Sequence, residues 1–438
     1  MNIAELKTTL DIPDLGDEMY DLIAVLYPIC RSITGNGVRS TLRIISQHIR
    51  LDIHEVPSGT QVFDWTVPPE WNITDAYVKN ARGERVIDFQ KSNLHVLNYS
   101  IPVSGIFSLD ELKPHLFTLP DHPDWIPYRT SYYNANWGFC LSHNQFTALE
   151  DGLYEVCIAS TLAPGSMTYG EYVIPGQSSD EVLISCHVCH PSLCNDNLAG
   201  IALATFLAKT LNQLLPRYTY RFLFIPGTIG SITWLALNEE RASRIKHGLV
   251  LTCAGDPGNP TYKKSRRGDA EIDQAVENVL AHSGRAYQVL DFYPYGYDER
   301  QYNSPGFNLP VGTLMRSQHG TFPQYHTSAD DLTLVQPRYL ADTFNILLST
   351  CAILEGNRRY VNLNPKCEPQ LGKRGIYKAI AGQQATDFDQ MAMFWVLNFS
   401  DGQHTLLDIA KRSGLKFDHI QAAADLLADH GLLQELAE

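Results

Sequence analysis

The segment Ser185-Cys186-His187-Val188-Cys189-His190-Pro191-Ser192-Leu193-Cys194-Asn195-Asp196-Asn197-Leu198-Ala199-Gly200 gathers two imidazoles, three thiols and a carboxylate within eleven residues. Nitrogen, sulfur and oxygen donors this close together suit Zn²⁺, and a catalytic zinc keeps one position open for water. A His ending a strand and an Asp opening the next helix reach one ion from a rigid frame. The competing reading is a structural zinc on Cys186, Cys189, Cys194 and a His. It lacks a second Cys-x-x-Cys or His-x₃₋₅-His pair nearby, and neighbouring strand residues such as Cys186 and His187 point to opposite faces. Cys186 and Cys194 can equally pack as small hydrophobes without any ligand. A second segment, Tyr325-His326-Thr327-Ser328-Ala329-Asp330-Asp331, follows Ser317-Gln318-His319-Gly320 and sets a His before a Thr-Ser-x-Asp helix-capping pattern. Alone, that His reads as a surface residue.

The elements around these segments are legible. Met19, Leu22, Ile23 and Leu26, then Leu42, Ile45 and Ile49, recur at helical spacing around Gly35-Asn36-Gly37. Residues 58–135 are rich in aromatics, Pro and short alternating runs such as Gln61–Val67, a β-rich pattern with turn punctuation. From residue 168 to 356 strands alternate with helices. Strands are predicted at Glu181–Ser185, Tyr220–Ile225, Gly248–Cys253 and Leu309–Met315, and helices over 197–215, 230–240, 269–283 and 336–356. The fold class is α/β: a mixed, mostly parallel sheet with helices on both faces. Working sites in such sheets lie beyond the carboxyl ends of the strands, where the Cys/His loop falls. Residues 357–370, with Asn364-Pro365 and Glu368-Pro369, read as a linker. Met391–Asn398, Thr405–Arg412 and Asp418–Asp429 around Ser413-Gly414-Leu415 give a winged-helix-like domain. The expected organisation is an α/β domain over 1–57 and 136–360, an inserted β-rich domain over 58–135, and a winged helix over 368–438.

Composition narrows the function. The 438 residues carry 34 basic and 48 acidic side chains, net −14, against general nucleic-acid or anionic-membrane binding. Residues 404–438 hold three basic and six acidic side chains, so a recognition helix with Asp418, Asp425 and Asp429 is ill suited to DNA phosphates. Packing or homo-oligomerisation is its expected role. No apolar run reaches the roughly 18 residues of a membrane span. Met1–Lys7 lacks the pattern of a signal peptide, and the nine cysteines do not form an evenly spread framework. A cytoplasmic location is expected.

Cys186–Gly200 and Tyr325–Asp331 together resemble the zinc aminopeptidases of the co-catalytic type. Within that superfamily, which also contains glutaminyl cyclases, the chain resembles bacterial aminopeptidase-like proteins with an inserted β domain and a C-terminal winged helix. These are often associated with polysaccharide or natural-product biosynthesis. The resemblance extends over essentially the whole chain, through Pro28–Gly35, Phe63–Pro68, Trp137–Ser142, Ser265–Asp269 and Asp298–Tyr302. It implies zinc ligation by His187, Asp196 and His326, with Asp256 as a further candidate.

Three positions depart from the resembled pattern. Cys189 stands where the relatives have an Asp that orients the first His. Gly227 and Thr228 stand where they have a Glu-Glu pair, and Gly227 where the subfamily keeps the acid of Pro-Glu-Thr-Ile-Gly. One zinc rather than two is therefore expected. The general base is missing from position 227, a factor of roughly 10²–10⁴ in rate. Glu239, Glu240, Asp298 and Glu299 are the nearby acids that could substitute. Lys263-Lys264-Ser265-Arg266-Arg267 is either a solvated loop or an anion clamp. In the second case Arg266 and Arg267, with Asp298 and Arg300, would hold substrate. The expected function is zinc-dependent hydrolysis of an amide or peptide-like bond in a small, anionic metabolite. The alternative is a catalytically impaired metal-binding or assembly protein.

Overall fold

The computed structural model describes residues 3, 9–376 and 387–436. Apart from Ile3, the N-terminal residues behind the leader expectation lie outside them. Helix α1 (Ile12–Leu26) opens where Asp11 accepts a hydrogen bond from Asp14 N and Pro13 occupies the first turn, where a missing N–H costs nothing. Its Met19, Leu22, Ile23 and Leu26 are buried, as are Val38, Leu42 and Ile45 of α2 (Asn36–Ile45). Strand β1 (Asp52–Pro57) precedes a small antiparallel sheet of β2 (Glu70–Lys79), β3 (Arg85–Asp88), β4 (Val103–Ser108) and β5 (Leu153–Ala163), ordered β3-β2-β5-β4. The β-rich side therefore runs beyond residue 135. Strand β5 is required because it alone pairs with both β2 and β4.

Strand β6 (Ser166–Ile174) carries the chain into the main sheet. There follow β7 (Glu181–His187), α3 (Ala199–Leu211), β8 (Thr219–Ile225), α4 (Ile229–Leu237), β9 (Ile245–Leu251), β10 (Thr261–Lys263), α5 (Glu271–Ala281), β11 (Gln288–Leu290), β12 (Val311–Met315) and α6 (Pro337–Gly356). The sheet runs β1-β6-β8-β7-β9-β12-β10-β11. β8, β7, β9 and β12 are parallel, and the β1–β6, β6–β8 and β10–β12 pairings are antiparallel. All seven residues of β7 are buried, as its near-continuous apolar run requires of a parallel central strand. Helix α3 is buried over almost its whole surface and touches the sheet, α1 and α6. From β7 the chain moves to β8 on one side, then returns to β9 on the other. The order thus switches at β7, and a crevice opens beyond its carboxyl end.

The C-terminal region comprises β13 (Arg359–Asn362), α7 (Asp387–Phe399), β14 (Asp401–Thr405), α8 (Leu406–Ser413), α9 (Phe417–Asp429) and β15 (Leu433–Glu435). Residues 359–362, expected in a linker, are the central strand of its sheet, ordered β14-β13-β15. A Thr405–Asp408 capping box starts α8, and Gly414 in the left-handed conformation ends it. Phe417, at the start of α9, is buried, and its N–H donates to Asn278 of α5 at 3.3 Å. The winged helix thus shares a continuous core with α5 and α6. No helix among the described residues is long and apolar enough to cross a membrane.

Candidate metal centre

His187 is the last residue of β7, and Asp196 lies in the turn that leads into α3. Both are essentially inaccessible. His187 Nε2 lies 2.8 Å from Asp196 Oδ1, and His326 Nε2 lies 2.9 Å from Asp196 Oδ2. His190 Nε2 is 3.7 Å from the same Oδ2. One carboxylate is thus ringed by three imidazoles. Donor atoms of His187, His190 and Asp196 all lie within 4.8 Å of one another. His187, Asp196 and His326, separated in sequence, converge here. His190 joins them, although the resemblance assigned it no role. The signal for it was the second imidazole in His187-Val188-Cys189-His190.

The neighbouring residues fix this geometry. Asn197 donates to Leu251 O at 3.0 Å, and its amide lies 3.3 Å from His187 Nδ1. Asn195 donates to Asp256 Oδ2 and accepts from Gly255 N. The two Asn residues thereby tie the Asp196 turn to β7 and to the end of β9. A side chain at Gly200 would come within 2.4 Å of Asn197 Oδ1 and 2.6 Å of Leu251 O, so only glycine permits this approach. Asp330 accepts from Asn195 N at 2.6 Å and Asp196 N at 2.9 Å. It had read as part of a helix cap; its function is to orient the backbone of the central carboxylate. The His326 loop is held by residues 126–128: Tyr128 N donates to His326 O, and Ser328 N to Ile126 O. Arg31, fully buried, donates to His190 O at 2.7 Å.

Electrostatics suit a cation. Burial pushes the Asp196 pKa upward, but the His190 and His187 rings and the hydrogen bonds from His187 and His326 outweigh it, holding the carboxyl well below its ordinary range. Burial holds His190 well below its ordinary value, leaving a neutral ring with a lone pair for a metal. Nitrogen and oxygen donors in this number fit zinc.

The other sequence candidates divide. Asp256 is not free to ligate, because its oxygens accept from Asn195 Nδ2, Gly258 N, and Ser317 N and Oγ. Cys186 and Cys194 sit in the core on the α3 side, whereas Cys189 faces the cleft. These thiols are divided between two sides of the sheet, and all nine cysteines are free. Arg266 and Arg267 are exposed and bind Asn308, so they do not reach the cleft. Lys263 is buried, pairs with Glu299 at 2.6 Å, and donates to the carbonyls of Tyr293 and Tyr295. Lys264 pairs with Glu277. Lys263 is therefore a strut for the loop before Asp298, while the rest of the basic run is tied elsewhere. Arg300 reaches Thr228 Oγ1 at 3.4 Å.

Two cavities meet at the imidazoles. One, of about 250 Å³, is lined by His187, His190, His326, Gly227, Asp298 and Trp65 among others. The other, of about 480 Å³, shares His190 and His326 and adds Tyr128 and Arg129.

Comparison with known proteins agrees with this architecture. Residues 20–357 match the family described as a domain of unknown function (DUF4910), and residues 358–435 match a winged helix-turn-helix family. A Clostridium acetobutylicum relative described as "Putative polysaccharide biosynthesis protein with aminopeptidase-like domain" is 59% identical over 414 residues, covering 94% of this chain and 95% of the relative. The crystal structure of a "putative peptidase" from Clostridium acetobutylicum superposes with a TM-score of 0.95 at 56% identity, covering 99% of this chain and 100% of that one. A zinc aminopeptidase from Bacillus subtilis superposes with a TM-score of 0.56 at 11% identity, over 76% of this chain and 94% of that one. The α/β domain has the zinc aminopeptidase fold.

Proposed function

We propose that this chain, which belongs to the DUF4910 family and carries a winged helix at its C-terminal end, is a zinc-dependent hydrolase of an amide or peptide-like bond in a small molecule. The observation that carries the reading is Asp196 enclosed by three imidazoles at the switch point of the sheet. Asp196, His187 and His326 would hold one zinc ion, with His190 the exchangeable fourth donor. Its Nε2 lies farther from Asp196 than the other two, and its ring lines both cavities. Zinc, when bound, supplies Lewis-acid polarisation of the scissile carbonyl and makes water ionise near neutral pH.

The chain's own residues do the rest. Asp330 and Asn197 keep the ligands oriented, as outer-shell partners do. Tyr128 and Tyr132 wall the larger cavity, and Arg129 is the cation there that an anionic substrate group would meet. The winged helix would act through packing rather than DNA. The start of α9, the second helix of the helix-turn-helix pair and the part that reads bases in such proteins, is turned onto α5. The alternative, a metal-binding assembly protein, draws on the missing acid at Gly227.

The test is metal content of the purified chain by plasma mass spectrometry, with hydrolysis of aminoacyl p-nitroanilides and N-acetyl amino acids before and after chelation. One zinc per chain and chelator-sensitive cleavage support the hydrolase. Zinc without cleavage supports the assembly reading. Absence of metal refutes both.

A further inference from the structure

We propose that Asp298 is the proton acceptor and donor of this cleft, in place of the acid that position 227 lacks. The proposal rests on the hydrolase reading above. Asp298 is 1% exposed and lines the cavity that also contains His187, His190, His326 and Gly227. Its Oδ1 is anchored by Thr228 N at 2.6 Å and Ser231 Oγ at 2.9 Å. Its Oδ2 is buried and makes no hydrogen bond among the described residues. Leaving a buried carboxylate oxygen unpaired is costly, and such atoms cluster where chemistry needs them. The carboxylate is therefore fixed in direction, with one buried oxygen left unpaired in a residue that lines the cleft.

The place it serves is the one Gly227 vacates. A Cβ at 227 would lie 3.6 Å from His187 Cβ and 3.4 Å from Cys189 Sγ, so that position also looks toward the imidazoles. Other nearby acids are occupied or remote. Glu299 is paired with Lys263, Asp330 spends both oxygens on backbone N–H groups, Asp256 is saturated by its four donors, and Glu239 and Glu240 are exposed. The Lys263–Glu299 pair and the Lys263 contacts to Tyr293 and Tyr295 hold the Asp298 loop from behind. Burial raises the Asp298 pKa, against the opposing pull of His187 and its two hydrogen-bond donors, toward the range where a carboxylate serves as a base.

The step balances as a hydrolysis. A water lone pair forms the C–O bond to the amide carbon while one water proton moves to Asp298 Oδ2. The C–N bond then breaks as that proton passes to the departing nitrogen, which regenerates the carboxylate. The carboxylic acid product releases its remaining proton to the amine.

Asp298→Asn tests this in the zinc-loaded full chain. Three readouts are taken: zinc content, hydrolysis of the best substrate of the panel, and calorimetric binding of acetohydroxamic acid in two buffers of different ionisation heat. The expected result is unchanged zinc, a 10²–10⁴-fold lower kcat, and one proton released to buffer on hydroxamate binding by the variant but none by the wild type, where Asp298 keeps it. Adding Gly227→Glu to Asp298→Asn should restore activity at least tenfold. If Asp298→Asn does not fold, Ser231→Ala is used. It removes one hydrogen bond to the ionised carboxylate and should move the acid limb of kcat/KM to higher pH. Equal proton release in both proteins, a kcat within tenfold of wild type, or an unmoved acid limb overturns the proposal while leaving the zinc hydrolase intact. Absence of zinc in the wild type overturns both.

Discussion

Replacing Asp330 with Ala removes the acceptor for two backbone donors that have no other route to water. Asp330 is 0% exposed, and the Asn195 and Asp196 N–H groups point at it from 2.6 and 2.9 Å. Each orphaned buried donor costs about 1–3 kcal/mol, so the variant should lose about 2–6 kcal/mol, a large share of a typical 5–15 kcal/mol stability. The cost depends on pH. Burial, joined by the Asp196 and Asp256 charges, raises the Asp330 pKa from 3.8 to about 8 despite the two donors. An acid raised on folding contributes stability that is complete below its unfolded pKa and is lost as pH rises toward the folded value. Between pH 4 and 8 the wild type should therefore lose an advantage that the variant never had. The assay is urea unfolding of metal-free chain at pH 5 and pH 8, followed by circular dichroism, with zinc affinity measured by chelator competition. The variant should unfold at lower urea, with the larger deficit at pH 5, and should bind zinc at least tenfold more weakly. Equal midpoints at pH 5, or a deficit that grows with pH, would refute the reasoning.

His187→Ala should abolish zinc binding, whereas His190→Ala should retain most of it; plasma mass spectrometry of the two proteins decides. Gly227→Glu should fold, because a Cβ there meets nothing closer than 3.4 Å and no left-handed backbone forbids it. It should raise kcat less than tenfold in the otherwise unaltered chain, since Asp298 already supplies the proton transfer. Burial pushes His247 from 6.5 down to about 3. A base depressed on folding contributes stability that is full above pH 6.5 and lost as pH falls toward 3, by up to about 1.4 kcal/mol per unit. His247→Leu should flatten that acid limb in thermal melts, and an unchanged slope would count against it. Phe417→Ala should cost about 3–5 kcal/mol, and duplex DNA binding should be undetectable at physiological salt in the unaltered chain by fluorescence anisotropy.

Much of this was legible because local physics and tertiary packing agree. The Val182-Leu183-Ile184 run became the buried central strand, and His187 fell at its carboxyl end, where a parallel sheet builds its sites. Asn195-Asp196-Asn197 opened α3 as expected. What was missed depends on partners distant in sequence. For Lys263–Arg267 a solvated loop and an anion clamp both stayed open in the sequence, because Asn308, the acceptor of Arg266 and Arg267, lies some forty residues away. Neither reading holds for Lys263, whose Glu299 partner comes from a separate loop. Asp256 looked like a ligand until Ser317 and Gly258 were seen to occupy it. His190 was hidden by its neighbour: two imidazoles three residues apart around a strand end share one cleft only when the chain turns sharply after His187. Strand β13 was masked by the turn-rich composition that follows it.

Anomalous diffraction at the zinc edge from crystals of the zinc-loaded chain addresses the metal site most directly. One peak is expected beyond the end of β7, with His187 and His326 Nε2 and an Asp196 oxygen at about 2.0–2.2 Å. No peak there, or a peak on the thiols of Cys186, Cys189 and Cys194, would contradict it.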